Sequence, residues 1–238
     1  MKEPVGLPGG ESRWLRPQAF GSRGQQDARA RRVRCLAAKA LANVRRSPTS
    51  PSPRARRGRM FWRPMRRLIL FRHAKSDWSS AVDDHDRGLA PRGRRAAGPM
   101  GAWLAGRGFR PDLVVCSTAL RAARTWNLAK AAFTPAPATE LTDEIYEAGD
   151  RALLEVVRRT PQEVQTLMLV GHNPGLADLT ERLAGSGDPE ARRALSVKFP
   201  TAAIAVLDVP FDSWDAVAPG SARLDRFVTP KILGLDVD

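Results

Sequence analysis

Three short segments of this 238-residue chain hold the residues best suited to chemistry: Arg72-His73, Ser117-Thr118 with Arg121 a turn later, and Gly171-His172. Each directly follows an apolar run, Leu68 to Phe71, Leu113 to Cys116, and Thr166 to Val170. A neutral imidazole is a competent nucleophile near neutral pH, and a guanidinium binds phosphate oxygens in pairs. Alone, Arg72-His73 reads as an ordinary solvated strand exit. A second and third strand ending in the same manner change that reading, because two imidazoles and two guanidiniums gathered in one place make a site for a dianion. No Asp/Glu cluster suited to a divalent cation accompanies them, so no metal is expected. The remaining histidine, His85, lies in an acidic loop and reads as a solvated loop residue.

The elements that must position these groups follow from the pattern. Runs of four or five β-prone apolar residues are too short for helices and read as buried strands. Pro91 sits where a helix can begin, and Ala96, Ala97, Met100, Trp103 and Leu104 recur at helical spacing up to Gly106. Ser117-Thr118 stands at an expected N-cap of a helix running through Lys130. Ala138 to Leu141 is a third short strand. Asp150 is placed to cap a helix through Leu153, Leu154, Val156 and Val157, another helix spans about Gly175 to Leu183, and Ala202 to Val209 and Ala222 to Val228 read as strands. Strands alternating with helices predict an α/β fold, three layers with a mostly parallel central sheet, which keeps ligands at the carboxyl ends of its strands. No internal repeat is visible.

Charge divides the chain. The formal net charge is +14. Residues 1–64 hold 16 Lys and Arg against 3 Asp and Glu, and residues 65–238 hold 23 against 22. The basic segment is rich in Arg, Pro, Gly and Ser and is expected to be disordered, apart from a basic amphipathic helix over Val33, Leu36, Ala37, Ala40 and Val44. It reads as a transit peptide, as an anion-binding arm, or as an upstream extension of a protein that starts at Met60 or Met65; Glu3, Glu11 and Asp27 weigh against the first, and the extension is preferred. The near-neutral remainder lacks the electrostatic footprint of a nucleic-acid binder. Cys35 and Cys116 give no disulfide framework, and no apolar run reaches the roughly 18 residues of a membrane span. A cytoplasmic monomer is expected, with an organelle as the alternative if residues 1–64 act as a transit peptide.

Arg72-His73-Ala74-Lys75-Ser76-Asp77-Trp78, Cys116-Ser117-Thr118-Ala119-Leu120-Arg121-Ala122-Ala123-Arg124-Thr125 and Gly171-His172-Asn173-Pro174 together resemble the histidine phosphatase superfamily, with its phosphoglycerate-mutase-like fold. Within it the chain looks like the small SixA-type phosphohistidine phosphatases. The resemblance covers about Met65 to the C-terminus. It implies that His73 is the nucleophile and passes through a phosphohistidine intermediate, that Arg72, Arg121 and His172 surround the phosphoryl group, and that Ser76 contributes a hydroxyl to it. No cofactor is then required. Where most relatives carry glycine and glutamate after the histidine, this chain has Ala74 and Lys75. Lys75 either adds positive charge for an acidic substrate or is a surface lysine.

Phosphomonoesterases of this fold donate a proton from a carboxylate, often in a Leu-x-Glu pattern, which Ile145-Tyr146-Glu147 matches loosely. Glu147 is therefore either the general acid or an exposed loop residue. A phosphohistidine leaving group needs such an acid far less than an alkoxide does. Short connections leave no room for large lid insertions, and an open pocket suits a phosphorylated protein. Asp83, Asp84 and Asp86 either rim that pocket or form a solvated turn, while Arg87-Gly88-Leu89 is placed to pin the loop beneath it. The expected activity is removal of phosphate from phosphohistidine in a protein. The alternatives are a phosphomonoesterase using Glu147 on a small metabolite or a phosphoserine or phosphothreonine protein, and a noncatalytic phosphoprotein-binding module.

Overall fold

The computed structural model describes residues 65–79 and 81–235. The basic segment of residues 1–64, with its expected helix around Val33 to Val44, lies outside the described residues. The order of elements is β1 (Arg66–Arg72), α1 (Pro91–Gly106), β2 (Leu113–Ser117), α2 (Leu120–Ala129), β3 (Ala138–Thr142), α3 (Asp150–Arg158), β4 (Thr166–Gly171), α4 (Gly175–Leu183), β5 (Ala184–Gly187), α5 (Pro189–Val197), β6 (Ile204–Val209) and β7 (Ala222–Val228).

One seven-stranded sheet runs in the order β3-β2-β4-β1-β6-β7-β5. β6 is antiparallel to both its neighbours, and the other pairings are parallel. Register places Leu68 beside Leu167 and Phe71 beside Val170, with Cys116 on the far side of Val170. The three apolar runs are thus adjacent and end at one edge.

Their continuous apolarity reflects burial on both faces. Leu68, Leu70, Leu167 and Leu169 pack with Leu153 and Val157 of α3 and with Leu176 and Leu179 of α4. Ile69, Phe71, Met168 and Val170 point the other way, onto Met100 and Leu104 of α1 and Trp126 of α2. Each such side chain contributes roughly 1.5–3 kcal/mol on burial, so the central strands anchor two cores at once.

The loop leaving β1 is held in place by main-chain bonds. Asp77 N–H donates to Gly88 O and Ala90 N–H to Lys75 O, both at 2.9 Å, and Ser76 forms an antiparallel bridge with Leu89. Arg87-Gly88-Leu89 does pin this loop. Gly93, in the first turn of α1, allows the helix to press on it: a Cβ there would lie 2.2 Å from Lys75 O.

Local details depart from the sequence pattern. The N-cap of α2 is Ala119 rather than Ser117 or Thr118, whose hydroxyls have other partners. Asp150 is the first residue of α3 instead of its cap, and its carboxylate accepts from Arg182 Nε. β5 and α5 were not anticipated. The Ala-Gly-Ser-Gly of β5 carries no β-prone residue and is a strand only by pairing with β7. For α5 the signals were present: Pro189 at its start, and an Asp188 carboxylate accepting from Ala191 N–H at 2.9 Å.

Candidate active site

His73 leaves β1 with its backbone N–H bonded to Gly171 O at 3.0 Å, which fixes it beside the end of β4. Its ring is buried, and Nδ1 lies 2.7 Å from Ala74 O. A carbonyl can only accept, so Nδ1 carries the proton and Nε2 keeps its lone pair. Burial pushes the His73 pKa down to about 3; the Ala74 carbonyl opposes the shift, and the charges of His172, Arg121 and Arg72 add to it. The ring is therefore neutral around pH 7. Next to it, Ala74 N–H donates to Thr125 Oγ1, which in turn donates to Arg121 O within α2. The loop after His73 and the helix carrying Arg121 are thereby tied together.

His172 follows β4 and brings its ring centroid to 5.1 Å from that of His73. Its Nε2 is 2.8 Å from Ser117 Oγ at the end of β2, while its Nδ1 is buried without a partner among the described residues. Burial first, then the Arg121 charge, lowers its pKa to about 4. The Tyr146 ring stands edge-on to it at 5.4 Å.

The two arginines differ in freedom. Arg72, half-buried, donates from Nη1 to Phe199 O at 2.7 Å, and its buried Nε has no partner among the described residues. Arg121, the second residue of α2 and buried, turns both terminal nitrogens toward Asp84: Nη1 to the backbone oxygen at 2.5 Å and Nη2 to Oδ2 at 2.7 Å. The same carboxylate takes Arg87 at 2.9 Å and the Tyr146 hydroxyl at 2.9 Å. Burial raises the Asp84 pKa, but hydrogen bonds from Tyr146 and Arg121 and the two guanidinium charges outweigh it, leaving it below the usual carboxylate range.

Arg72, His73, Arg121 and His172 are thus brought together. Ser76 is buried near them in the bridge to Leu89, and Lys75 is half-buried with its carbonyl engaged by Ala90. Glu147 is exposed, in a left-handed conformation with φ 49°, immediately after Tyr146. Its loop is seated by Gly175, where a Cβ would lie 2.0 Å from Ala148 O. His85 is no solvated bystander: its Nε2 meets Thr118 Oγ1 at 2.9 Å and its ring stands edge-on to Tyr146 at 5.0 Å. The sequence pattern does not single out Tyr146, treats Asp84 as one of three possible rim aspartates, and reads Ser117 as a helix cap rather than as the partner of His172. The aspartates of the loop were noticed, but nothing in their order shows that Asp84 turns inward while Asp83 and Asp86 stay exposed. Among the described residues no group of three or more His, Cys, Asp or Glu side chains can hold a metal ion.

A neutral imidazole thus stands beside a second histidine and two arginines at the edge of the sheet, in a chain that is similar to known proteins. The family model for the histidine phosphatase superfamily (branch 1) matches residues 68–148. An uncharacterized protein of Mycobacterium tuberculosis is 42% identical over 162 residues, 67% of this chain and 99% of the relative. A solved structure from Nakamurella multipartitia, of a protein proposed to be the phosphohistidine phosphatase SixA, is 33% identical, covering 70% of this chain and 96% of its own with a TM-score of 0.61. Another such protein, from Agrobacterium tumefaciens, is 34% identical over 69% of this chain and 98% of its own, with a TM-score of 0.59.

The chain belongs to the histidine phosphatase superfamily. Its sheet and helices are the three-layer arrangement of that superfamily, and its likeness is to the SixA-like branch. Phosphatase chemistry follows from membership; the substrate does not. Among the described residues no helix is long and apolar enough to cross a membrane.

Proposed function

We propose that this protein removes the phosphoryl group from phosphohistidine in a protein, using His73 as nucleophile and passing through a phosphorylated His73. The observation that carries the reading is the hydrogen bond of His73 Nδ1 to Ala74 O, which leaves Nε2 as the reactive atom. The Nε2 lone pair attacks phosphorus as the P–N bond to the substrate imidazole breaks. That imidazole departs neutral when its other nitrogen carries a proton, so no strong acid is needed. Water then attacks the phosphorylated His73, releasing inorganic phosphate and restoring the ring. Arg72, Arg121 and the His172 ring compensate charge on the equatorial oxygens, with Ser76 and Lys75 as further contacts. The domain boundary at residue 64 belongs to the same proposal: residues 65–238 are the catalytic unit.

The test is phosphate release from a phosphohistidine protein and from a panel of phosphomonoesters, with trapping of labelled phosphate on the enzyme. Acid-labile, alkali-stable label lost in His73→Ala supports the reading; an unlabelled enzyme that still turns over defeats it. A second reading is favoured by the position of Glu147 directly after Tyr146, whose ring contacts His172. There Glu147 protonates an alkoxide leaving group. Glu147→Gln separates the two: alkyl-phosphate turnover falls under the second, and phosphohistidine turnover is unchanged under the first.

A further inference from the structure

We propose that Ser117 sets the tautomer of His172, holding Nδ1 protonated so that the ring can donate a hydrogen bond to a phosphoryl oxygen. The identity of that oxygen rests on the phosphatase reading above; the tautomer rests on geometry alone. Ser117 is the last residue of β2 and is wholly buried. Its Oγ accepts from Ala119 N–H at 3.3 Å and lies 2.8 Å from His172 Nε2.

A hydroxyl has one proton to give, and two arrangements compete. If Ser117 donates to Nε2, the hydroxyl is fully used and the single group left over is Nδ1–H. If Nε2–H donates to Ser117, the serine proton has no acceptor among these contacts and Nδ1 becomes a bare acceptor. Two buried polar groups are then unmet instead of one, and each is costly. The first arrangement wins.

Its leftover donor is the buried, partnerless Nδ1 of His172, on a ring 5.1 Å from the nucleophile ring. Two arginines act on the same place. A donor unmet by protein, within a positively charged site, is satisfied by an incoming anion. With the opposite tautomer the neutral ring would present a lone pair to the phosphoryl oxygens and oppose binding. Ser117 does not touch the phosphoryl group in this scheme. It is a positioning residue acting through His172, much as an orienting partner fixes the tautomer of a metal-bound histidine.

The experiment is long-range proton–nitrogen NMR on the full chain labelled at histidine. Only three histidines need assigning, and His85→Asn identifies one signal. The expected result is His172 protonated at Nδ1 and unprotonated at Nε2 near pH 7. In Ser117→Ala this signal shifts to the other tautomer or to a mixture, kcat falls roughly tenfold or more, and tungstate binds more weakly. Ser117→Thr, where it folds, restores the original signal through its hydroxyl. Wild-type protein protonated at Nε2 of His172 overturns the proposal without needing any variant, and so does a Ser117→Ala protein with unaltered tautomer and kcat. If His73→Ala stays active while the tautomer is as expected, the phosphatase reading fails and the tautomer assignment survives. If His73→Ala is dead and the tautomer is reversed, only this inference falls.

Discussion

Two arginines begin and end the same strand, and their surroundings are opposites. Arg66, at the start of β1, is buried and makes four hydrogen bonds, to Val164 O at 2.5 Å, to Gln162 O at 3.0 Å, to Gln162 Oε1 at 2.9 Å and to Asp212 O. It also lies over the Trp214 ring at 5.5 Å. Arg72, six residues on, has one side-chain hydrogen bond among the described residues, to Phe199 O. Arg66, like Arg72, has a buried Nε without a partner among the described residues, but its two terminal nitrogens are taken up by three backbone carbonyls and one side-chain amide oxygen, so its work is to join β1 to the segments around residues 164 and 212. Arg72 is a cation whose donors are held in reserve at the ligand edge of the sheet. A guanidinium left this poorly satisfied beside two neutral imidazoles marks where an anion belongs.

The comparison can be broken at several points. The largest effect is expected for His73→Ala, which should lower phosphate release by about 10³-fold or more with an unchanged melting curve, since the change removes the attacking atom itself. Substituting the two arginines separately comes next. Arg72→Ala should cost about 100-fold in kcat/KM with little loss of stability, whereas Arg66→Ala should leave kcat/KM near wild type and lower stability by about 2–3 kcal/mol. Equal activity losses in both, measured with urea unfolding alongside turnover, would end the distinction. Asp84→Asn should follow, at roughly tenfold, because Arg121 loses the charge that holds its terminal nitrogens; circular dichroism unchanged from wild type would exclude a folding defect.

The pH dependence sharpens the same contrast. In the folded protein His73 and His172 titrate near 3 and 4, below their ordinary value of 6.5, because burial disfavours the imidazolium. His73 stays neutral as pH falls through 6.5, so under the proposed mechanism its labelling should persist to near pH 4 and fail only below it. Stability moves in the same direction. Below 6.5 the unfolded chain binds protons that the folded chain does not, so folding free energy present above 6.5 is lost as pH falls toward 3. Denaturant midpoints from pH 7 to 4 measure this; an acid limb of labelling centred at 6.5 would contradict it. The smallest effect is expected at the rim, where Arg87 lies 3.5 Å from the centroid of the exposed Trp78 ring. Trp78→Ala should change stability by about 0.5–1 kcal/mol at most.

The apolar runs alone announced β1, β2 and β4, because a strand buried on both faces has no room for polar residues. Their exits announced Arg72, His73 and His172, because the ligand edge of this kind of sheet lies directly after its strands, and Arg121 falls at the start of the next helix. Those relations are local, spanning a few residues, and the linear chain carries them in full. The partnerships among the exits are different in kind. Ser117 meets His172 across 55 residues, Asp84 meets Arg121 across 37, and Tyr146 reaches Asp84 across 62. Three aspartates of one loop are equivalent on paper, and the packing of β2 beside β4 and of the loop over α2 chose Asp84. A hydrogen bond needs its two atoms within about 3 Å, and only the folded sheet determines which distant residues come that close. Composition and order therefore settled which chemistry the chain can perform, while tertiary contact settled which protons and charges are arranged to perform it.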